Sequence, residues 1–262
     1  MVWNQTIDGW RSGHETLRVH ADPHPHLGEA VLRPIHTHHA FEACVEQLAT
    51  AIRLGVYPLG SMLPSERDLA ERLDVSRATL REAIAALREA GLVETRRGRH
   101  GGTVVTLKPR TPSARRAART TPQQRTDWLD ALAFRRVVEP GAAYQAAQLS
   151  LSNGARTRLQ ASHDAVAEAS NRAAHRQADS RFHLTIASLT GSARTIDAVT
   201  SVQASLHEML SAIPVLGTNI SHSDRHHRDI CRAILEGRAD DARAVMEEHC
   251  DDTAALLRGF LG

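Results

Sequence analysis

Asp179 and His183 stand four residues apart, and His227 and His249 each sit inside a later apolar stripe. Side chains four apart project from one face of a helix, so Asp179 and His183 can offer an oxygen and a nitrogen to one ion. They flank the line of Phe182 and Ile186. His227 lies near the middle of the stripe formed by Ile230, Cys231 and Ile234, and His249 is central among Ala242, Val245, Met246 and Leu256. One inward histidine is an ordinary core residue. Three with a carboxylate are costly to bury unless they are paired or bound to metal. Imidazole with carboxylate suits zinc, with nickel and manganese as the other candidates. His222 and His226 also stand four apart but turn away from the His227 face, and His163, His175 and His207 are weaker candidates still.

A second set of residues carries charge suited to phosphate and base edges. Ser76 is placed to cap a helix running to about Ala90, with Gly91 ending it. Leu80, Ile84 and Leu87 recur at spacings of four and three and must face a core, which leaves Arg77, Arg81 and Arg88 together on another side. Ser76 and Thr79 add hydroxyls at the helix N-terminus, where backbone N–H groups favour a phosphate. Arginine can bond bidentately to guanine in a major groove. Downstream, Arg96-Arg97-Gly98-Arg99-His100-Gly101-Gly102 reads as a basic turn between extended runs at 92–95 and 103–107.

These side chains need a scaffold. Phe41, Val45, Leu48 and Ile52 mark a first helix that Gly55 and Pro58 end. Ser65, with Asp68 three residues on, opens a second helix that buries Leu69, Ala70 and Leu73. Three helices and a basic hairpin make a winged helix-turn-helix. Beyond residue 127 the pattern is helical throughout, over 127–149, 152–169, 173–190, 193–213, 221–236 and 239–260. The fold class is therefore mainly α: an N-terminal winged domain linked to an all-α bundle, with alanine allowing close helix approach.

The winged segment resembles the GntR family of bacterial transcription regulators. The matching residues are Leu63-Pro64-Ser65-Glu66-Arg67-Asp68-Leu69-Ala70, Val75-Ser76-Arg77-Ala78-Thr79-Leu80-Arg81-Glu82-Ala83 and Gly91-Leu92-Val93, followed by the glycine-bearing wing. Carried over by position, the resemblance implies operator contacts from Arg67, Ser76, Arg77, Thr79, Arg81, Arg97 and Gly98. Arg77 and Arg81 are the base-reading candidates, and Arg67 and the wing suit the DNA backbone or minor groove. The bundle resembles the FCD effector domain of the FadR-type subgroup. The matching stretches are Arg135-Arg136-Val137-Val138-Glu139-Pro140, Asp179-Ser180-Arg181-Phe182-His183, His227-Arg228-Asp229-Ile230 and Met246 through His249. That resemblance implies a divalent metal on Asp179, His183, His227 and His249. It also implies a small carboxylate effector near an arginine of the first bundle helix, for which Arg135 and Arg136 both remain open. His226 and Ser192 depart from the subgroup's usual acidic residue and asparagine without removing a ligand.

Net charge is +2 over 262 residues, with 32 Lys+Arg against 30 Asp+Glu. The near-balance is an average. Residues 106–126 carry six basic and no acidic residues, while residues 127–262 carry 14 basic and 17 acidic. The chain divides into a His-rich, flexible tail at 1–39, a DNA-binding domain at 40–107, a basic linker at 108–126 and a ligand-binding and dimerisation domain at 127–262. Seven of the 16 histidines fall in the tail. Three dispersed cysteines exclude a disulfide framework. No run reaches the roughly 18 apolar residues of a membrane span, and no secretory layout opens the chain, so a cytoplasmic protein without membrane contact is expected. The expected function is that of a homodimeric, ligand-responsive regulator of transcription, a repressor on a palindromic operator. The alternatives are a metal-dependent hydrolase and a direct metal sensor that uses the tail.

Overall fold

The computed structural model describes residues 27–35, 40–96, 102–106, 121–212 and 217–261. Its first element is a short helix, α1 (Leu27–Val31), in a segment expected to be tail. Ala30, Val31, Leu32 and Ile35 are buried there, and the Ile35 N–H donates to the Leu73 carbonyl at 2.7 Å. This corrects the expected tail for residues 27–35: the apolar positions are real core, hidden in the sequence among proline and histidine. The rest of residues 1–39 lies outside the described residues.

The winged domain follows as α2 (Ala40–Arg53), α3 (Glu66–Leu73) and α4 (Arg77–Glu89), then β1 (Val93–Arg96) and β2 (Gly102–Val105). The inward face of α2 is rotated from the expected stripe. Cys44, Leu48, Ala51 and Ile52 are buried, whereas Phe41 is exposed at the first turn. Ser65 caps α3 by accepting from the Asp68 N–H at 3.2 Å, and Ser76 caps α4 by accepting from the Thr79 N–H at 3.0 Å. Each cap supplies an acceptor to an N–H that has no intrahelical partner. Between these helices Asp74 adopts the left-handed conformation (φ 52°), which turns the chain without a glycine. The two strands pair antiparallel from Val93 opposite Val105 to Arg96 opposite Gly102. Leu63 N–H to Thr103 O (2.8 Å) and Val105 N–H to Ser61 O (2.9 Å) add a short third edge.

Six helices form the bundle: α5 (Pro122–Gln148), α6 (Asn153–Ala167), α7 (Arg172–Leu189), α8 (Ala193–Ala212), α9 (Gly217–Leu235) and α10 (Ala239–Leu261). The first begins within the expected linker. Thr121 accepts from the Gln124 N–H at 3.1 Å and Pro122 occupies the opening position, where its missing N–H costs nothing. Buried alanines at 142, 143, 146 and 147 of α5, with Ala178, Ala233 and Ala242, bring the helices close. The core is not divided at the domain boundary. Leu184 and Ala187 of α7 and Ile196 and Val199 of α8 join the same apolar cluster as the winged domain's leucines.

Candidate functional site

Five bundle helices converge on a buried polar cluster. His183 (α7), His227 (α9) and His249 (α10) are each no more than 3% exposed. Each offers a ring nitrogen, and these nitrogens all lie within 4.8 Å of one another. The ring centroids are 5.4 Å apart for His183–His227, 5.1 Å for His183–His249 and 4.7 Å for His227–His249. The four-residue spacing in α7 brings Asp179 to the same place. Its Oδ1 lies 3.3 Å from His227 Nε2, at the more open side of the cluster. Asp179 therefore leans on one histidine, and its carboxylate is not part of the convergent group that the three ring nitrogens form.

Several nitrogens in this cluster have no hydrogen-bond partner: His183 Nε2, His227 Nδ1 and His249 Nε2. His183 Nδ1 is 3.0 Å from Glu139 Oε2 but out of hydrogen-bond alignment. Orphaned polar atoms at this depth are costly. Burial, reinforced for His227 by His183 and for His249 by His227, pushes both groups well below the ordinary histidine range. Neutral imidazoles with free lone pairs are the form that binds a metal. The donor set fits a divalent ion of borderline softness.

Below the histidines lies an ion pair missed in the sequence. Arg135 Nε donates to Glu139 Oε2 at 2.9 Å, and Gln203 Nε2 donates to Glu139 Oε1 at 2.6 Å. Burial alone would raise the Glu139 carboxyl, but the Arg135 guanidinium, helped by His183 and Gln203, holds it well below the usual carboxylate range. Arg135 Nη1 is left without a hydrogen-bond partner. Arg136 goes elsewhere. It is part-exposed and binds Asp251 (3.0 Å) and Glu247 (3.2 Å) on α10. The inward phase of α5 runs through Trp128, Leu132, Arg135 and Glu139, with Leu129 exposed. A stripe drawn through Leu129 would turn Arg136 inward, whereas the structure buries Arg135. The available signal was Arg135 and Glu139 at i, i+4 in phase with Leu132 and Ala142.

On the winged domain, Ser76 and Arg77 are exposed at the start of α4, Thr79 is half-buried, and Arg81 is exposed one turn on. Ser76 Oγ and Thr79 Oγ1 are 2.8 Å apart. Arg81 Nε donates to Glu66 Oε2 at 2.7 Å, and Arg67 Nε to Asp68 at 3.3 Å. Both pairs are solvent-exposed and weak, so either arginine can leave its carboxylate for a phosphate or a base. Arg97 and Gly98 lie outside the described residues.

Residues 41–105 match the model for bacterial regulatory proteins of the gntR family, and residues 130–252 match the FCD domain model. A protein of Escherichia coli K12, named as a regulatory protein of the L-lactate dehydrogenase operon, is 32% identical over 195 residues, 70% of this chain and 72% of that protein. The chain belongs to the GntR family. This GntR protein is a transcriptional regulator with an FCD domain. GntR regulators bind DNA and typically dimerise, and FCD domains commonly bind a metal and a small-molecule effector. An HTH-type regulator of Mycobacterium gastri, RmpR, is 53% identical over 68 residues, 26% of this GntR chain but only 25% of that protein. The solved structure of E. coli McbR/YncC covers 84% of the chain and 97% of its own length at a TM-score of 0.51; at 15% identity it supports the fold alone. Among the described residues, no helix of this regulator is long and apolar enough to cross a membrane.

Proposed function

We propose that this GntR regulator binds a palindromic operator as a homodimer and acts in the cytoplasm as a repressor. A small carboxylate metabolite releases it, bound beside a divalent metal in the bundle. Arg77 and Arg81 read bases, with Ser76, Thr79 and Arg67 positioning α4 on the phosphates and Arg97 and Gly98 extending contact through the wing. His183, His227 and His249 hold the metal with Asp179 alongside; the predominance of imidazole favours zinc or nickel over manganese, and zinc is the first ion to test.

One observation carries the effector reading: the orphaned nitrogens of three buried histidines share a cluster with Arg135, whose Nη1 also lacks a partner. A metal with an adjacent guanidinium offers a carboxylate one point of coordination and one charge-assisted hydrogen bond. Arg136, tied to Asp251 and Glu247 at the surface, is less suited to that role. Because one relative is named for an L-lactate dehydrogenase operon, small 2-hydroxycarboxylates are the first class to test.

Dimerisation has a suitable face. Leu129, Phe134 and Val137 of α5 are large apolar side chains in solvent, and Val137 is 72% exposed. Covering them with a second copy would set two recognition helices for two half-sites.

The deciding experiment is a thermal-shift series on zinc-loaded protein with L-lactate, related hydroxycarboxylates and the matching amides. A carboxylate present at about a hundred times its Kd stabilises by ~2.7 kcal/mol. The expected result is stabilisation by acids and not by amides, lost in Arg135→Ala, with the same acids weakening operator binding. Equal shifts in wild type and Arg135→Ala would remove Arg135 from the effector site.

A further inference from the structure

Helix α7 has two working faces. Asp179, Phe182 and His183 turn into the bundle, whereas Gln177, Arg181 and Leu184 turn toward the winged domain. The Gln177 amide donates to the carbonyls of Arg53 (3.2 Å) and Ile52 (3.4 Å), at the C-terminus of α2. The last carbonyls of a helix lack intrahelical donors; the Gly55 N–H already serves Ile52 at 3.1 Å, and this buried glutamine completes the C-terminal cap from another domain. Arg181 Nη1 reaches the carbonyl of Gly55 at 3.4 Å.

Gly55 shows how close the approach is. It turns the chain at φ +74°, and a Cβ built there would meet Gln177 Cβ at 2.9 Å. A side chain at residue 55 would be both strained in backbone and pressed into α7. A second tie lies beside the first. Arg33 bonds Asp197 (2.9 Å) and the Ala193 carbonyl (3.2 Å) of α8, while its own backbone exchanges hydrogen bonds with the Gln47 side chain of α2.

We infer that Gln177 and Arg181 are positioning residues that transmit occupancy of the histidine cluster to the C-terminus of α2, and so to the setting of the DNA-binding domain. The inference rests on the metal reading of Asp179, His183, His227 and His249. His183 and Gln177 are six residues, about 1.7 turns, apart on one rigid helix. Any shift or stiffening of α7 when its Asp179/His183 turn is held by an ion is therefore delivered to the carbonyls of Ile52, Arg53 and Gly55. Packed elements of this kind move as units because their contacts are discrete rather than elastic.

Backbone amide hydrogen exchange of the full chain tests this, comparing chelator-stripped protein with protein given stoichiometric Zn2+. In wild type, Zn2+ should slow exchange around residues 179–183 and also over residues 51–57, each by about fivefold or more. In Gln177→Ala/Arg181→Ala, protection at 179–183 should persist while protection at 51–57 is lost. If the double variant no longer unfolds cooperatively, Gln177→Ala alone replaces it. Protection at 179–183 without any at 51–57 in wild type overturns the relay and leaves the metal reading standing. Protection at neither place overturns the metal reading. Protection at 51–57 that survives the substitutions shows that these two side chains are not the route.

Discussion

Arg135 and Glu139 form an ion pair sealed inside the bundle, Nε to Oε2 at 2.9 Å, with both side chains almost wholly out of solvent. Their charges cancel locally, and Gln203 satisfies the second carboxylate oxygen. Removing one partner leaves a buried charge without its counterion. Glu139→Gln should therefore cost ~3–5 kcal/mol, read by urea unfolding of the metal-free protein, whereas Arg135→Met/Glu139→Leu should recover most of the loss. A cost below ~1 kcal/mol for the single variant would mean that the bundle relaxes to admit water, contrary to the sealed packing.

Acidification should destabilise the metal-free protein before Glu139 titrates. The neutral forms of His227 and His249 are favoured in the fold, so their folded proton affinity is below that of the unfolded chain. Below about pH 6.5 the unfolded state takes up protons that the native state refuses, and stability falls with pH. The midpoint of thermal unfolding, measured from pH 7.5 down to 5.5, should decline. The decline should be shallower in His227→Gln/His249→Gln. At lower pH, below about 4.3, a further loss sets in as the unfolded chain's glutamate takes up a proton that the folded Glu139, whose proton affinity is depressed, refuses.

His227→Ala and His249→Ala should each reduce bound zinc from one per chain to well below that after dialysis, by elemental analysis. Circular dichroism should stay helical. Stoichiometric zinc in either variant would place the ion elsewhere.

Arg77→Ala and Arg81→Ala should each weaken specific operator binding by ~1–3 kcal/mol and narrow the gap to unrelated DNA. Their zinc content should match wild type. Arg81 carries an additional expectation, since Glu66 holds it in the free protein at 2.7 Å. Glu66→Ala should therefore raise non-specific DNA affinity modestly in low salt and lose that gain as salt rises. A salt-independent gain would assign Glu66 a different role.

Val137→Asp, or Phe134→Glu, should shift the protein toward monomer in analytical ultracentrifugation and weaken operator binding without altering zinc content. An unchanged sedimentation profile would move the dimer contact off α5.

Much of this was legible in the sequence because periodicity reports which side of a helix is wet. The Asp179/His183 spacing and the inward phases of His227 and His249 follow from that, while the caps Ser65 and Ser76 follow from residue type at the helix start. Three features were hidden for physical reasons. Glu139 and Gln203 are charged or polar at core positions, and their burial is licensed only by partners on other helices. Arg135 is inward because α5 follows Trp128, and a large residue one place from Leu129 shifts the stripe by a quarter turn or so. The apolar residues from Leu27 to Ile35 cover the winged domain from outside, in a segment too short to show a period.

The winged domain's leucines share one apolar cluster with Leu184, Ala187, Ile196 and Val199 of the bundle. The regulator is thus not two beads on a string. A fragment ending near residue 106 would carry a freshly exposed oily face into solution and should aggregate or bind detergent. A chimera that grafts this DNA-binding half onto a related bundle inherits the same debt. It would respond only if the recipient's α7 and α8 present a matching surface, so the unit that can be exchanged between relatives ends deep inside the second half of the chain.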